Sequence, residues 1–380
     1  MTSFSVGVIG GGQLARMMTP PAINLGITLK VLAEAEGSSA ALATTQVGDY
    51  TQLDVVREFA KTVDVITFDH EHVPLAILEQ LEADGVSVQP PSRALAFAQN
   101  KLKMRERLGA LGLPMPDWAE IHDADSLDAF IEAQGGVAIL KTPIGGYDGK
   151  GVRVVSSAAD AADWLSEEGL ARVGGHLLAE EKVNFTRELA QLCARTPGGE
   201  FRAWPMVQTT QQNGVCAEVL APAPDVSEET LEQAAAIARG VAEGLGVTGV
   251  MAVEMFETTD GRLLINELAM RPHNSGHFSI EGSVTSQFEQ HIRAVLDLPL
   301  GSTLATGAHS VMVNLLGVDD KNDFLPHYVA AQSAHPEAKI HTYGKGARAG
   351  RKMGHVTVVS GNAEWALAEA RATAKILRSE

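Results

Sequence analysis

Residues 249–271 read GVMAVEMFETTDGRLLINELAMR, two strand-like apolar runs on either side of Asp260-Gly261. An Asp-Gly pair in that setting predicts a two-residue hairpin turn, with Thr259 paired to Arg262. Equal steps outward along both strands then set Glu254 across from Glu267. Side chains opposed in this way root about 5 Å apart, and two carboxylates at that distance repel by roughly 3 kcal/mol at an effective dielectric of about 20. A cation between them removes the penalty. Oxygen donors alone suit Mg²⁺, which keeps waters and completes its shell with substrate phosphates, so the hairpin points to an enzyme acting on a nucleoside triphosphate. A solvated sheet face with scattered acids is the competing reading.

The whole chain has room for such a site. Its 380 residues, 45% of them hydrophobic, suffice for two or three domains with their own cores. Thirty basic against 47 acidic residues leave a net charge of −17, which opposes binding to nucleic acid or an anionic membrane. Phosphate must therefore be captured by local clusters of donors. Cys193 and Cys216, without CxxC spacing, support neither a disulfide framework nor a zinc ribbon and predict a cytoplasmic protein. The start, MTSFSVGVIGGG, has no basic leader, and no apolar run reaches the roughly 18 residues of a membrane span.

The first hundred residues alternate strand-like runs (FSVGVIG, TLKVLAE, VDVITFD, VSVQP) with helical ones, the pattern of a parallel α/β unit. Pro20-Pro21 predicts a break or kink in the first helix after Thr19. Residues 101–305 form a second region, whose portion from about 120 to 183 carries the glycine-rich loop, followed by long strands suited to an antiparallel sheet. A helix is expected from about Asp225, with Glu228 in a capping-box-like position, to Gly244 or Gly246. Residues 306–380 read as a small α/β appendage.

Several segments could carry chemistry. GGYDGKG, 145–151, can lay backbone N–H groups and Lys150 against phosphate oxygens. It lacks the Ser/Thr and following helix of a Walker A loop, so a flap or an ordinary hairpin turn remain the two readings. Lys141 ends the apolar run VAIL, where an ammonium needs an anionic partner that a triphosphate would supply; a snorkelling edge lysine is the alternative. Glu180, Glu181, Lys182 and Val183 lie where a strand emerges toward the next unit and could read an adenine edge, with Glu188 accepting ribose hydroxyls. In RPHNSGH, 271–277, Arg271, His273 and Asn274 suit a small oxyanion such as bicarbonate. His273 and His277 have zinc-helix spacing, but Pro272 and Gly276 oppose a helix. FDHEHVP, 68–74, offers Glu71 as a ligand for an amine or ribose. GGGQLA, 10–15, with Glu34 downstream, fits either a dinucleotide or a phosphomonoester at a helix N-terminus.

Taken in order, GGGQLARM, FDHEHVP, GGYDGKG, EEKVNFTRE, INELAMRPHNSGH and GRKMGH resemble the 5-(carboxyamino)imidazole ribonucleotide synthases, ATP-grasp enzymes of purine synthesis, over nearly the whole chain. The resemblance implies an α/β (α+β ATP-grasp) fold: an N-terminal parallel α/β domain, a central ATP-grasp lid, and a C-terminal antiparallel-sheet domain with a small appendage. It implies ATP and Mg²⁺ as cofactors, 5-aminoimidazole ribonucleotide and bicarbonate as substrates, and a homodimer. Lys101 and Lys141 would contact ATP phosphates, with Gly146, Tyr147, Asp148, Gly149, Lys150, Gly151 and Val152 as the flap. Glu180, Glu181, Lys182 and Val183 would form the adenine hinge, Glu188 the ribose acceptor, and Gln211 stands where a histidine often touches ATP. Glu254 and Glu267 would hold Mg²⁺ beside Asn266. Arg271, His273 and Asn274 would hold bicarbonate, and Asp148 could accept the proton.

For the ribotide, Gln13, Leu14, Lys345, Arg351 and Lys352 would bind the phosphate, while Glu71, Tyr147 and Asp148 orient the aminoimidazole. Ala269, where many relatives carry a metal-binding Asn, leaves a second Mg²⁺ less well supplied. Met270 stands where the family often has Pro. Other readings are an ATP-grasp ligase using another carboxylate, such as a formate-dependent glycinamide ribonucleotide transformylase, a nicotinamide oxidoreductase built on GGGQLA, or a non-catalytic nucleotide-binding regulator.

Overall fold

The computed structural model describes residues 3–146, 151–318 and 323–379. Near the N-terminus, five parallel strands form one sheet in the spatial order Thr44–Val47, Thr28–Ala33, Ser5–Ile9, Val65–Phe68, Ser87–Val88. The central strands are almost continuously apolar because helices cover both faces. Thr44–Val47, too polar to stand out in the sequence, is the strand that sequence reading missed. The chain runs from Ser5–Ile9 to one neighbour and later returns on its other side, so a crevice opens at the C-terminal ends of Ser5–Ile9 and Val65–Phe68.

The first helix, Gln13–Leu25, runs through Pro20-Pro21 without a break, contrary to expectation. Leu14, Ala15, Met17, Met18 and Ala22 are buried along one side, while Pro20 is exposed on the other. Apolar packing holds the helix where two backbone donors are missing, and Thr19 Oγ1 gives the Ala15 carbonyl a bond at 3.3 Å.

Four antiparallel strands make the lid sheet, in the order Trp118–Ile121, Leu177–Glu181, Ala138–Lys141, Val152–Val155. A nine-stranded sheet follows. Its strands Phe185–Arg195, Gly249–Thr258 and Leu263–Ala269 lie toward one end, and His309–Leu316, Lys352–Ser360 and Lys339–Thr342 toward the other. His309–Leu316 pairs directly with Val215–Ala221, so the last segment continues the same sheet. The expected helix begins later than Asp225, which has φ of +52°: it spans Glu228–Leu245, with the Ser227 hydroxyl accepting from Thr230 N–H and Gly246 closing it in the left-handed region.

The deciding hairpin places Glu254 opposite Glu267, but by a different route from the one counted. Thr258, not Thr259, pairs with Arg262, through Thr258 N–H to the Arg262 carbonyl at 2.9 Å. The loop therefore has three residues, with Gly261 at φ +84°. An irregularity between Glu254 and Met255 skips Asn266 and restores the expected pairing.

Candidate functional site

A cleft of about 1140 Å³ opens between the N-terminal unit, the lid and the large sheet. Its wall includes Gln13 and Leu14 from the first helix, Glu71 from the crevice, and Lys101 at the start of helix Lys101–Ala110. Gly145 and Gly146 from the glycine-rich loop, both hairpin carboxylates, and Arg271, His273 and Asn274 also face it. Lys345, Arg351 and Lys352 close the far end. Lys141, Gly151, Val152, Glu180 to Val183, Glu188, Gln211 and Asn266, also predicted for the site, are not among the residues that line this cleft. Tyr147, Asp148, Gly149 and Lys150 lie outside the described residues.

Glu267 Oε1 meets Lys101 Nζ at 2.7 Å, and Glu254 Oε1 meets His273 Nε2 at 3.0 Å. Burial pushes the Glu254 carboxyl up, but His273, Lys352 and Arg271 outweigh burial and leave its pKa below the usual value. An ionised Glu254 can only accept, so His273 donates from Nε2, and its Nδ1 stands 2.8 Å from the Ser275 hydroxyl. The His273 backbone N–H is fixed on Gln287 Oε1 at 2.9 Å. His277 turns away from this group and is buried, its ring 2.9 Å from Gln287. The two histidines do not converge on a metal. Two opposed carboxylates, Glu254 held below the usual carboxylate range, form an all-oxygen donor pair that fits Mg²⁺.

Behind the cleft wall, Lys141 finds its anion in the protein itself. Its Nζ lies 2.6 Å from Glu180 Oε2 and 3.2 Å from Asn266 Oδ1. Glu180 also receives Arg105 Nε at 2.6 Å, and Arg105 donates to the carbonyls of Ile265 and Asn266, each at 2.7 Å. Lys141 thus has an anionic partner within the protein, which sequence reading did not name. Arg105 was missed in the sequence, although a signal was there: it falls between Leu102 and Leu108 on the buried side of its helix. Burial raises the Glu188 carboxyl pKa, a nearby Glu254 raises it further, and a hydrogen bond from Gln211 opposes both. Gln211 therefore touches Glu188.

At the other end of the cleft, Lys345 Nζ donates to Gln13 Oε1 at 2.5 Å. Glu71 Oε1 accepts the Met270 N–H at 2.7 Å and its other oxygen lies 3.6 Å from Arg271 Nε. This ties the N-terminal crevice to the segment that carries Arg271 and His273. Asp69 is a second residue that sequence reading passed over. It accepts the Ala15 N–H at 2.8 Å, and a Cβ added at Gly12 would come within 1.9 Å of its Oδ2. Gln13 and Leu14 belong to the first helical turn, where N–H groups have no intrahelical acceptor. Glu34, the residue a dinucleotide reading would use, is held by His70 at 3.1 Å and by the Gly11 N–H at 3.2 Å. Asn274 is buried in a reciprocal amide pair with Asn314, at 3.1 and 2.6 Å.

Strands Ala138–Lys141 and Val152–Val155 pair antiparallel, so the glycine-rich segment connects neighbouring strands, and its Gly145 and Gly146 face the cleft. Gly151 has φ of +72°, and a side chain there would meet Thr142 Oγ1 at 2.4 Å. No helix among the described residues is long and apolar enough to cross a membrane.

Comparison with known proteins agrees along the length of the chain. Residues 3–99 match the ribonucleotide synthetase preATP-grasp domain, 106–288 the ATP-grasp domain, and 310–369 the phosphoribosylaminoimidazole carboxylase C-terminal domain. The N5-carboxyaminoimidazole ribonucleotide synthase of Mycobacterium tuberculosis strain H37Rv is 48% identical over 92% of this chain and 82% of its own. That of Corynebacterium ammoniagenes is 45% identical over 98% and 91%. The Aspergillus clavatus enzyme, solved with ADP and 5-aminoimidazole ribonucleotide, superposes with a TM-score of 0.89 at 34% identity, covering 100% of this chain and 99% of that one. The chain thus belongs to the N5-carboxyaminoimidazole ribonucleotide synthases, ligases built on the ATP-grasp fold.

Proposed function

We infer that the cleft is the reaction chamber of an ATP-dependent carbon–nitrogen ligase. The chain converts 5-aminoimidazole ribonucleotide, bicarbonate and ATP to N5-carboxyaminoimidazole ribonucleotide, ADP and phosphate in purine biosynthesis. One observation carries the assignment of chemistry to place: the opposed Glu254 and Glu267 share a single cavity with Arg271 and His273 and with the cluster of Gln13, Lys345, Arg351 and Lys352.

ATP enters between lid and large sheet, with Glu180 to Val183 at the base, Glu188 at the ribose, and Lys101, Lys141 and the 146–152 loop at the phosphates. Glu254 and Glu267 would hold Mg²⁺, which when bound would supply neutralisation of the phosphoryl charge. Arg271 and His273 orient bicarbonate so that one oxygen attacks the γ-phosphorus and ADP departs. Glu71 is held by Met270 and aims at the aminoimidazole, while Gln13 and Lys345 grip the ribotide phosphate. Carboxyphosphate formed there breaks to CO₂ and phosphate in a chamber closed to water. The ribotide amine adds to CO₂, and its proton passes to Asp148 or to the departing phosphate.

The same reading takes the three matched segments as domains of 1–100, 101–305 and 306–380, and the protein as a cytoplasmic homodimer. Val284 and Leu304, both well exposed and joined by a backbone bond at 2.9 Å, supply an apolar spot for such pairing. Sedimentation of the chain against Leu304→Lys tests that part.

ADP release should need both bicarbonate and the ribotide for full rate, and formate should not replace bicarbonate. Glu267→Gln is expected to abolish turnover with an unchanged circular dichroism spectrum. Normal ADP release from that variant would remove the carboxylate pair from the mechanism.

A further inference from the structure

We propose that the outer end of the lid carries a binding site for a zinc-class divalent cation, built from Glu120, His122 and His176. Strands Trp118–Ile121 and Leu177–Glu181 run antiparallel with Ile121 opposite Leu177. The next step outward brings His122 to His176, and Glu120, two residues before His122, projects from the same side of its strand. His122 and His176 lie 54 residues apart in the chain and meet through this pairing.

The distances suit a small ion. His122 Nδ1 stands 2.8 Å from His176 Nδ1, His176 Nδ1 stands 3.4 Å from Glu120 Oε1, and His122 Nε2 stands 3.9 Å from Glu120 Oε2. One donor atom from each residue can be chosen so that all lie within 4.8 Å of one another. A tetrahedral zinc site with bonds of about 2.0–2.1 Å spaces its ligand atoms roughly 3.3 Å apart, so small side-chain rotations complete it. Two imidazole nitrogens and one carboxylate are a donor set for zinc and its neighbours, whereas Mg²⁺ prefers oxygen. The direct contact between two Nδ1 atoms requires one to donate and the other to accept; a bridging cation satisfies both lone pairs at once. The side chains are 54%, 44% and 38% exposed for His122, His176 and Glu120, which leaves an entry path and room for a water as fourth ligand.

The strand ends are already anchored. His122 N–H donates to Ser126 Oγ at 3.2 Å, and Asp123 caps helix Ala124–Ala133 through the Ser126 N–H at 2.8 Å. None of the three residues lines the cleft, and they stand at the end of the lid sheet away from Glu180 and Glu181. The cation would clamp two lid strands together without supplying a group to the reaction. Both imidazoles must be neutral to bind, so affinity should fall as the solution is acidified.

Equilibrium dialysis of the tag-free full chain against zinc, with Mg²⁺ in large excess, tests the site. One equivalent of zinc should bind, and the same zinc should raise the melting temperature. The His122→Asn/His176→Asn pair, and separately Glu120→Gln, should weaken binding at least tenfold while ADP production in zinc-free buffer stays at the parental rate. A parental chain that takes up no zinc, or variants that bind it as tightly as the parent, would overturn the proposal. Either result leaves the ligase reading untouched, because ADP release is measured without zinc.

Discussion

Arg105, Glu180 and Lys141 show how a single side chain can organise a site it does not enter. Burial pushes the Glu180 carboxyl up, yet Lys141 and Arg105 together bring it below the usual carboxylate range. Arg105→Met would leave Glu180 short of one partner and two carbonyls short of a donor. Loss of one member of a buried ionic group costs about 3–5 kcal/mol. Urea unfolding should show a loss of that order, and a loss below about 1 kcal/mol would mean the network relaxes around the gap. The sequence made the cost of burying Lys141 legible, but not its partner. Glu180 is 39 residues away, and only the antiparallel pairing of Ala138–Lys141 with Leu177–Glu181 brings the two together. Gln211 was equally opaque, because its contact with Glu188 depends on the pairing of Phe185–Arg195 with Val207–Gln212.

Local elements were read better than their details. The glycine triplet before the first helix was read as a phosphate-binding turn, and the carboxylate of Asp69 takes the Ala15 N–H there. Gly12→Ala would drive a methyl into that carboxylate. Steady-state kinetics should show a KM for the ribotide raised about tenfold, equivalent to about 1.4 kcal/mol, with the KM for ATP little changed. Equal rises in both would place the damage in the fold rather than in this turn. In the hairpin, Glu254 and Glu267 were paired correctly through two departures that cancel: a loop one residue longer than counted and a skipped residue at Asn266. Period-2 alternation has no term for either. Pro20-Pro21 misled because local propensity was weighed without the five buried side chains that hold Gln13–Leu25 in place.

Across the whole molecule, three neutral histidines are sealed between packed units. Burial drives His291 down to about 3, and His277 and His355 well below the ordinary histidine value of 6.5. His291 joins Thr67 Oγ1 at 2.7 Å to the Val250 N–H at 3.0 Å, bridging the N-terminal sheet and the large sheet. The unfolded chain takes up these protons below pH 6.5 while the folded chain refuses them. The stability is therefore complete above pH 6.5 and is lost as pH falls toward the depressed folded values, by about 1.4 kcal/mol per pH unit for each histidine. Chemical denaturation between pH 7 and 5 should show this slope, and His291→Gln should flatten it by one histidine's share. An unchanged slope in that variant would mean that His291 titrates normally. The cluster was invisible beforehand because burial of a polar ring depends on contacts from distant segments.

The union of His309–Leu316 with Val215–Ala221 carries a further consequence. A chain shortened at 305 would bare a row of amides and carbonyls along Val215–Ala221, a template on which a second polypeptide could zip. The tail is thus a shield against self-association, and it could not be trimmed away as a dispensable ornament.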